Sequence, residues 1–160
     1  MATWADLKEL RLTICDPSGV IGIEQVADED ALPASPIKQT AYQKIDSGEY
    51  VLWDEELEDW ESLELEISDV RLEGLIDLYG VKRAASKAVS LVLVSVGKRL
   101  GIARSAAGAE SVQYQTLSDL YSFYKALAKS LEEEATIDDG LSTGRYFKIH
   151  THGIAGGMHG

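Results

Sequence analysis

The chain has 160 residues, a length that suits one compact domain with an appendage and can bury roughly 70% of its unfolded surface. It is 45% hydrophobic and 26% charged, ordinary for a globular protein, and no run approaches the roughly 18 apolar residues of a membrane span. The formal charge of −12 argues against general adhesion to nucleic acid, which needs lysine and arginine to displace phosphate counterions.

The opening "MATWADLKEL" carries an acid and no apolar core, so no secretory leader is expected. Thr3 can cap a short helix, with Asp6 in its first turn and Trp4, Leu7 and Leu10 behind it. Cys15 is the only cysteine, which excludes an internal disulfide and reads as a small semi-buried hydrophobe. "DPSG" at 16–19 ends the helix, and Val20 to Val26 reads as a strand. Pro33 and Pro36 keep the next loop from being helical. "QTAYQKI" and "EYVLW" flank Asp46, Ser47 and Gly48 as a hairpin. Residues 18–53 thus predict a small antiparallel β element between helices.

The stretch 54–67 supports two readings. Leu63, Leu65 and Ile67 alternate as in a strand, while Leu57, Trp60 and Leu63 suit a helix. Ser68 is a good helix cap with Asp69 behind it, and Leu72, Leu75, Ile76 and Tyr79 share one helical face. Gly80 ends or bends that helix. A second helix runs from Val81 to about Leu100, with Ala84, Ala85, Ala88, Val92 and Val96 as its seam and Gly101 as its terminator. Thr116 is the expected cap of the last helix, whose stripe includes Leu117, Leu120, Tyr121, Tyr124, Leu127, Ala128 and Leu131. Burial of its four leucines would contribute roughly 6–12 kcal/mol before entropy. The expectation is a mainly α fold: an antiparallel hairpin of Ser68–Leu100 against Thr116–Ala135, in a helical domain 1–135 with the β insertion.

After Glu134 the helical period ends, and residues 136–160 read as an extended, glycine-rich docking tail. Its Arg145, Tyr146, Phe147 and Ile149 have the aromatic and β-branched character of a strand added to a partner's sheet edge. His150 and His152 would share a face if extended, as a metal pair requires. With neither cysteine nor carboxylate beside them, they are expected to be partner contacts. No cofactor is expected: the glycines have neither phosphate-loop nor dinucleotide spacing, and no serine has a histidine nearby in sequence. No enzyme chemistry is expected from this chain.

Charge is segregated along the chain. Every charged residue from Glu49 to Glu66 is acidic, including Glu55, Glu56, Glu58 and Asp59. Every one from Lys82 to Arg104 is basic: Lys82, Arg83, Lys87, Lys98, Arg99 and Arg104. Such blocks are commonly solvated faces, and they also suit the two complementary surfaces of a head-to-tail assembly.

"RSAAGAESVQYQTLSDLYSFYKALAKSLEEEA" resembles the second long helix, with its preceding small-residue loop, of tailed-bacteriophage head–tail connector (adaptor) proteins. "LKELRLTICDPSGV" is similar to their opening helix and turn, and "LPASPIKQTAYQKIDSGEYVLW" with "LEISDVRLEGLIDLYG" to the β segment and following helix of one branch. The ending "GIAGGMHG" resembles the glycine-and-methionine ends of these small virion proteins. The resemblance implies a structural ring subunit of the virion neck, made in the host bacterial cytoplasm and typically present in twelve copies. It would dock beneath the portal protein, pass DNA through its channel without gripping it, and carry the next neck or tail protein. The alternative from the charge pattern is a DNA-packaging assembly protein, similar to a small terminase, that uses the basic block on DNA.

Overall fold

Thr3 does cap the first helix, α1 (Trp4–Ile14). The Asp6 amide donates to the Thr3 hydroxyl at 3.2 Å and the Thr3 amide to the Asp6 carboxylate at 2.9 Å, a reciprocal cap with Asp in the place of the usual Glu. The helix closes on Cys15, which takes the left-handed conformation (φ 55°). The Cys15 amide then donates to Leu12 and the Asp16 amide to Arg11, the paired bonds of a Schellman end, with cysteine where glycine is more common. The computed structural model describes residues 1–134.

Four strands follow: β1 (Gly22–Val26), β2 (Thr40–Lys44), β3 (Tyr50–Asp54) and β4 (Asp59–Ser62), side by side in that order. β2, β3 and β4 form an antiparallel meander, but β1 runs parallel to β2, with Ile23 opposite Ala41. The crossover 27–39 contains Pro33 and Pro36 and only one short 3₁₀ turn, Glu29–Ala31. Parallel neighbours normally require a crossover of about a dozen residues, usually a helix. Here coil of that length does the job, so the sequence concealed the parallel pair. The ambiguous stretch divides: 55–58 is a turn, 59–62 is strand, and 63–67 leads to the Ser68 cap.

The helix α2 (Asp69–Ala107) is two limbs joined at Gly80, which has φ 76° and ψ 163°, a region essentially reserved for glycine. The limbs fold back on one another, so that Arg99 reaches Glu66 at 2.6 Å. Gly101 lies inside the second limb; its end is Gly108, whose amide donates to the Arg104 carbonyl. The last helix, α3 (112–134), begins a turn earlier than expected. Ser111 caps it through the Tyr114 amide, while Thr116 is interior and donates to the Val112 carbonyl.

α3 packs against the second limb, where a Cβ on Gly97 would meet the Tyr121 ring at 3.4 Å. Within α3 only Tyr124 is fully buried; Leu120, Leu127 and Leu131 pack half-exposed against the core. The helical core joins Leu10, Ile14, Leu72, Val89, Val92 and Tyr124. A second core of Ile23, Ala41 and Tyr50 lies under the sheet. α1 bridges them, with Leu10 and Ile14 in one and Trp4 and Leu12 against the other.

The fold of the described residues is therefore α+β, three helices with a four-stranded mixed sheet. The expectation of a mainly helical bundle with a small antiparallel insertion is overturned. The sheet has four strands, shares α1 with the helical core, and reaches residue 62. Among the described residues no helix is long and apolar enough to cross a membrane.

Candidate functional site

Two surface regions carry the segregated charge, and a buried polar network ties together the elements that bear them. Arg11 is the hub of that network, with a side chain fully removed from solvent. Its guanidinium donates to the Asp16 carboxylate at 3.1 Å, the Ile67 carbonyl at 2.9 Å, and Asp69 at 2.5 and 2.8 Å. Tyr50 donates to Asp69 from the sheet, as does Gln43 at 2.7 Å. Asp16 also accepts the backbone amides of Glu66 and Ile67. One side chain on α1 thus joins the 16–17 turn, the start of α2 and the middle of the sheet. Arg11, at i+4 from Leu7 and i−3 from Ile14, lies on the apolar face of α1; that spacing is the signal in the sequence, and residue type alone reads it as surface charge.

Burial opposes the Arg11 charge, but Asp69, Tyr50 and Asp16 outweigh it and hold its pKa above the ordinary value. Burial pushes the Asp16 carboxyl up, against the opposing pull of the Glu66 amide and of Arg11. Burial likewise raises the Tyr50 and Tyr124 phenols and the Cys15 thiol, which leaves Cys15 a poor nucleophile. Among the described residues no buried side-chain polar atom lacks a hydrogen-bond partner. The network is a clamp whose valences are spent internally. No group of three or more His, Cys, Asp and Glu is arranged for a metal among the described residues.

The acidic block is concentrated at the β3–β4 turn. Asp54 shapes it by accepting the Glu56 and Leu57 amides at 2.8 and 3.1 Å, and Glu58 turns the chain with φ 50°. Glu55 faces Lys38 at 3.7 Å, Glu56 and Glu58 project at the tip, and Asp59 opens β4. Leu57, at the centre of these acids, is 72% exposed. Beneath the turn Trp53 lies opposite Trp60, their rings edge to face at 5.3 Å, and Trp60 meets Tyr42 at 5.4 Å. Within β4 only Trp60, between Asp59 and Glu61, carries an alternating signal; the alternation of Leu63, Leu65 and Ile67 falls past the strand's end.

The structure divides the basic block. At about 100° per residue, Lys87, Val94, Lys98 and Ile102 fall on one side of the second limb, with Lys82 and Arg104 turned away. Lys82 and Arg83 open the limb just past Gly80, and both make interactions of their own. Lys87 sits over the Tyr79 ring at 5.3 Å. Arg99 is committed to Glu66, and Arg104 occupies the last turn. Lys98 stands between two depressions. One is a groove of about 510 Å³ between the limbs, lined by Glu66, Arg71, Leu91, Val94 and Arg99. The other is a shallow apolar floor made by Gly101, Ile102, Ser105 and Ala106. Val94 and Ile102 are 57% and 69% exposed; they are apolar members of the surface that a reading by charge alone missed.

Arg145, Tyr146, Phe147, Ile149, His150 and His152 lie outside the described residues. Comparison with protein-family models, with curated proteins and with solved structures yields no match.

Proposed function

We propose that this chain is a structural assembly subunit, a head–tail connector of a tailed-bacteriophage neck. It would form a ring beneath the portal protein, in twelve copies, that extends the DNA channel and carries the next neck or tail protein. The observation that supports this reading is the placement of charge. An acidic turn with an apolar tip sits on the sheet, and a basic face with an apolar floor sits on α2. The Arg11 clamp joins the two elements.

Two unlike complementary surfaces on one rigid subunit are the requirement of a heterologous contact, which closes into a ring when its rotation divides a circle. A net charge of −12 also suits a conduit that must not hold DNA. On this reading the tail, residues 136–160, contributes contacts to the portal or to a neighbouring subunit, and the chain needs no cofactor and performs no catalysis.

Mixing the full chain with the portal protein of the same virus, and separately with double-stranded DNA at low salt, tests the reading. Co-migration with portal rings and no shift of the DNA is the expected result. Salt-sensitive DNA binding without portal binding would replace it with the DNA-packaging alternative.

A further inference from the structure

Gly101 sits inside a helix, where glycine costs about 0.5–1 kcal/mol relative to alanine. One turn earlier, Gly97 is covered by α3: a Cβ there would touch the Tyr121 ring at 3.4 Å. Among the described residues Gly101 has no such neighbour. A Cβ there would meet nothing within 4 Å, and the residue forms the floor between Lys98 and Ile102. A helical glycine with no neighbour among the described residues leaves room for close approach by another molecule.

We propose that Gly101 marks the socket for the β3–β4 turn of a second copy of this chain. Leu57, the exposed tip of that turn, rests on the floor of Gly101, Ile102 and Ala106. Glu56 and Glu58 beside it face Lys98 at the floor's edge. The occupant follows from composition: the floor is apolar with a lysine at its rim, and the turn is a leucine among glutamates. The two surfaces differ, so the contact is heterologous and each copy retains a free turn and a free floor for further neighbours. Val70, Gly74 and Leu78 form a second exposed strip on the first limb, but Arg71, Glu73 and Asp77 around it carry both signs and specify no partner. The inference rests on the connector reading and names the contact between its subunits.

Two substitutions test it without disturbing the fold, because both positions are open to solvent. Gly101→Leu fills the floor, and Leu57→Ser removes the tip. Sedimentation velocity over a wide concentration range should show wild type associating, and each variant associating about tenfold or more weakly. Circular dichroism and the thermal midpoint should stay at wild-type values or, for Gly101→Leu, rise. The decisive arm mixes the variants: the Gly101→Leu chain keeps its turn and the Leu57→Ser chain keeps its floor, so the mixture should give one-to-one heterodimers. Variants that associate as wild type, or a mixture that stays monomeric, would overturn the socket. Association insensitive to both variants alongside portal binding overturns the socket alone; association lost in both, with no portal binding by wild type, overturns the connector reading alone. A wild-type chain that remains monomeric throughout overturns both.

Discussion

Replacing Arg11 by leucine should be among the most damaging single changes in this protein. The substitution keeps a helix former of moderate size at a fully buried position, so it isolates the loss of the guanidinium. Asp16, itself buried, loses its cationic partner at 3.1 Å, Asp69 loses two bonds, and the Ile67 carbonyl loses its donor at 2.9 Å. Removing one partner of a buried ion pair costs about 3–5 kcal/mol, chiefly because the other charge is left uncompensated. That is a large part of the roughly 5–15 kcal/mol that holds a domain folded. With a urea slope of about 2 kcal/mol per molar, the midpoint should fall by about 2 M. Tryptophan fluorescence and far-ultraviolet circular dichroism, followed together at pH 7, measure it. In the variant Asp16 loses one of the interactions favouring its charged form, so its folded-state pKa rises further. The deficit should therefore be full above the carboxylate range and shrink as pH falls and Asp16 protonates. A loss under about 1 kcal/mol, or one that does not ease with acid, would refute the clamp as the joint between helices and sheet.

Burial raises the Tyr50 and Tyr124 phenols above their ordinary value, so their contribution is full below about pH 10 and is lost as pH rises beyond it. Urea titrations should show stability falling above pH 10 by up to about 1.4 kcal/mol per pH unit for each tyrosine, a slope that Tyr50→Phe with Tyr124→Phe should flatten. Two glycines in α2 should respond oppositely. Gly80→Ala, at φ 76° and ψ 163°, should lose about 1–3 kcal/mol, and Gly101→Ala should gain about 0.5–1 kcal/mol, both read from thermal or urea midpoints. Deleting residues 136–160 should leave cooperative unfolding unchanged and abolish stable attachment to the portal, measured by co-sedimentation; attachment at full yield would remove the tail from the account.

Local signals were legible where one residue type answers one local need. Thr3 with Asp6, Ser68 with Asp69, and Gly80 each did what their backbone positions require. The errors arose where a second residue nearby could serve the same need. Ser111 took the cap expected of Thr116, and Gly108 took the helix end expected of Gly101. The parallel pairing of β1 with β2 depends on partners separated by about a dozen residues of proline-bearing coil, and no local periodicity encodes it. The clamp was hidden for a similar reason: Arg11, Asp16, Tyr50 and Asp69 are spread over the first half of the chain and meet only in the fold. Of the candidate surfaces, the charge blocks were visible in order, but their apolar centres were not. Leu57, Val94 and Ile102 are apolar residues that the charge pattern does not single out, and they are exposed.

Class averages from electron microscopy of the purified full-length chain, alone and with its portal protein, test the central claim most directly. The connector account predicts closed rings with a central channel, seated coaxially on the portal, whose subunit contact places the β3–β4 turn of one copy against Gly101 of the next. Monomers that ignore the portal, or open filaments with no closing rotation, would contradict it.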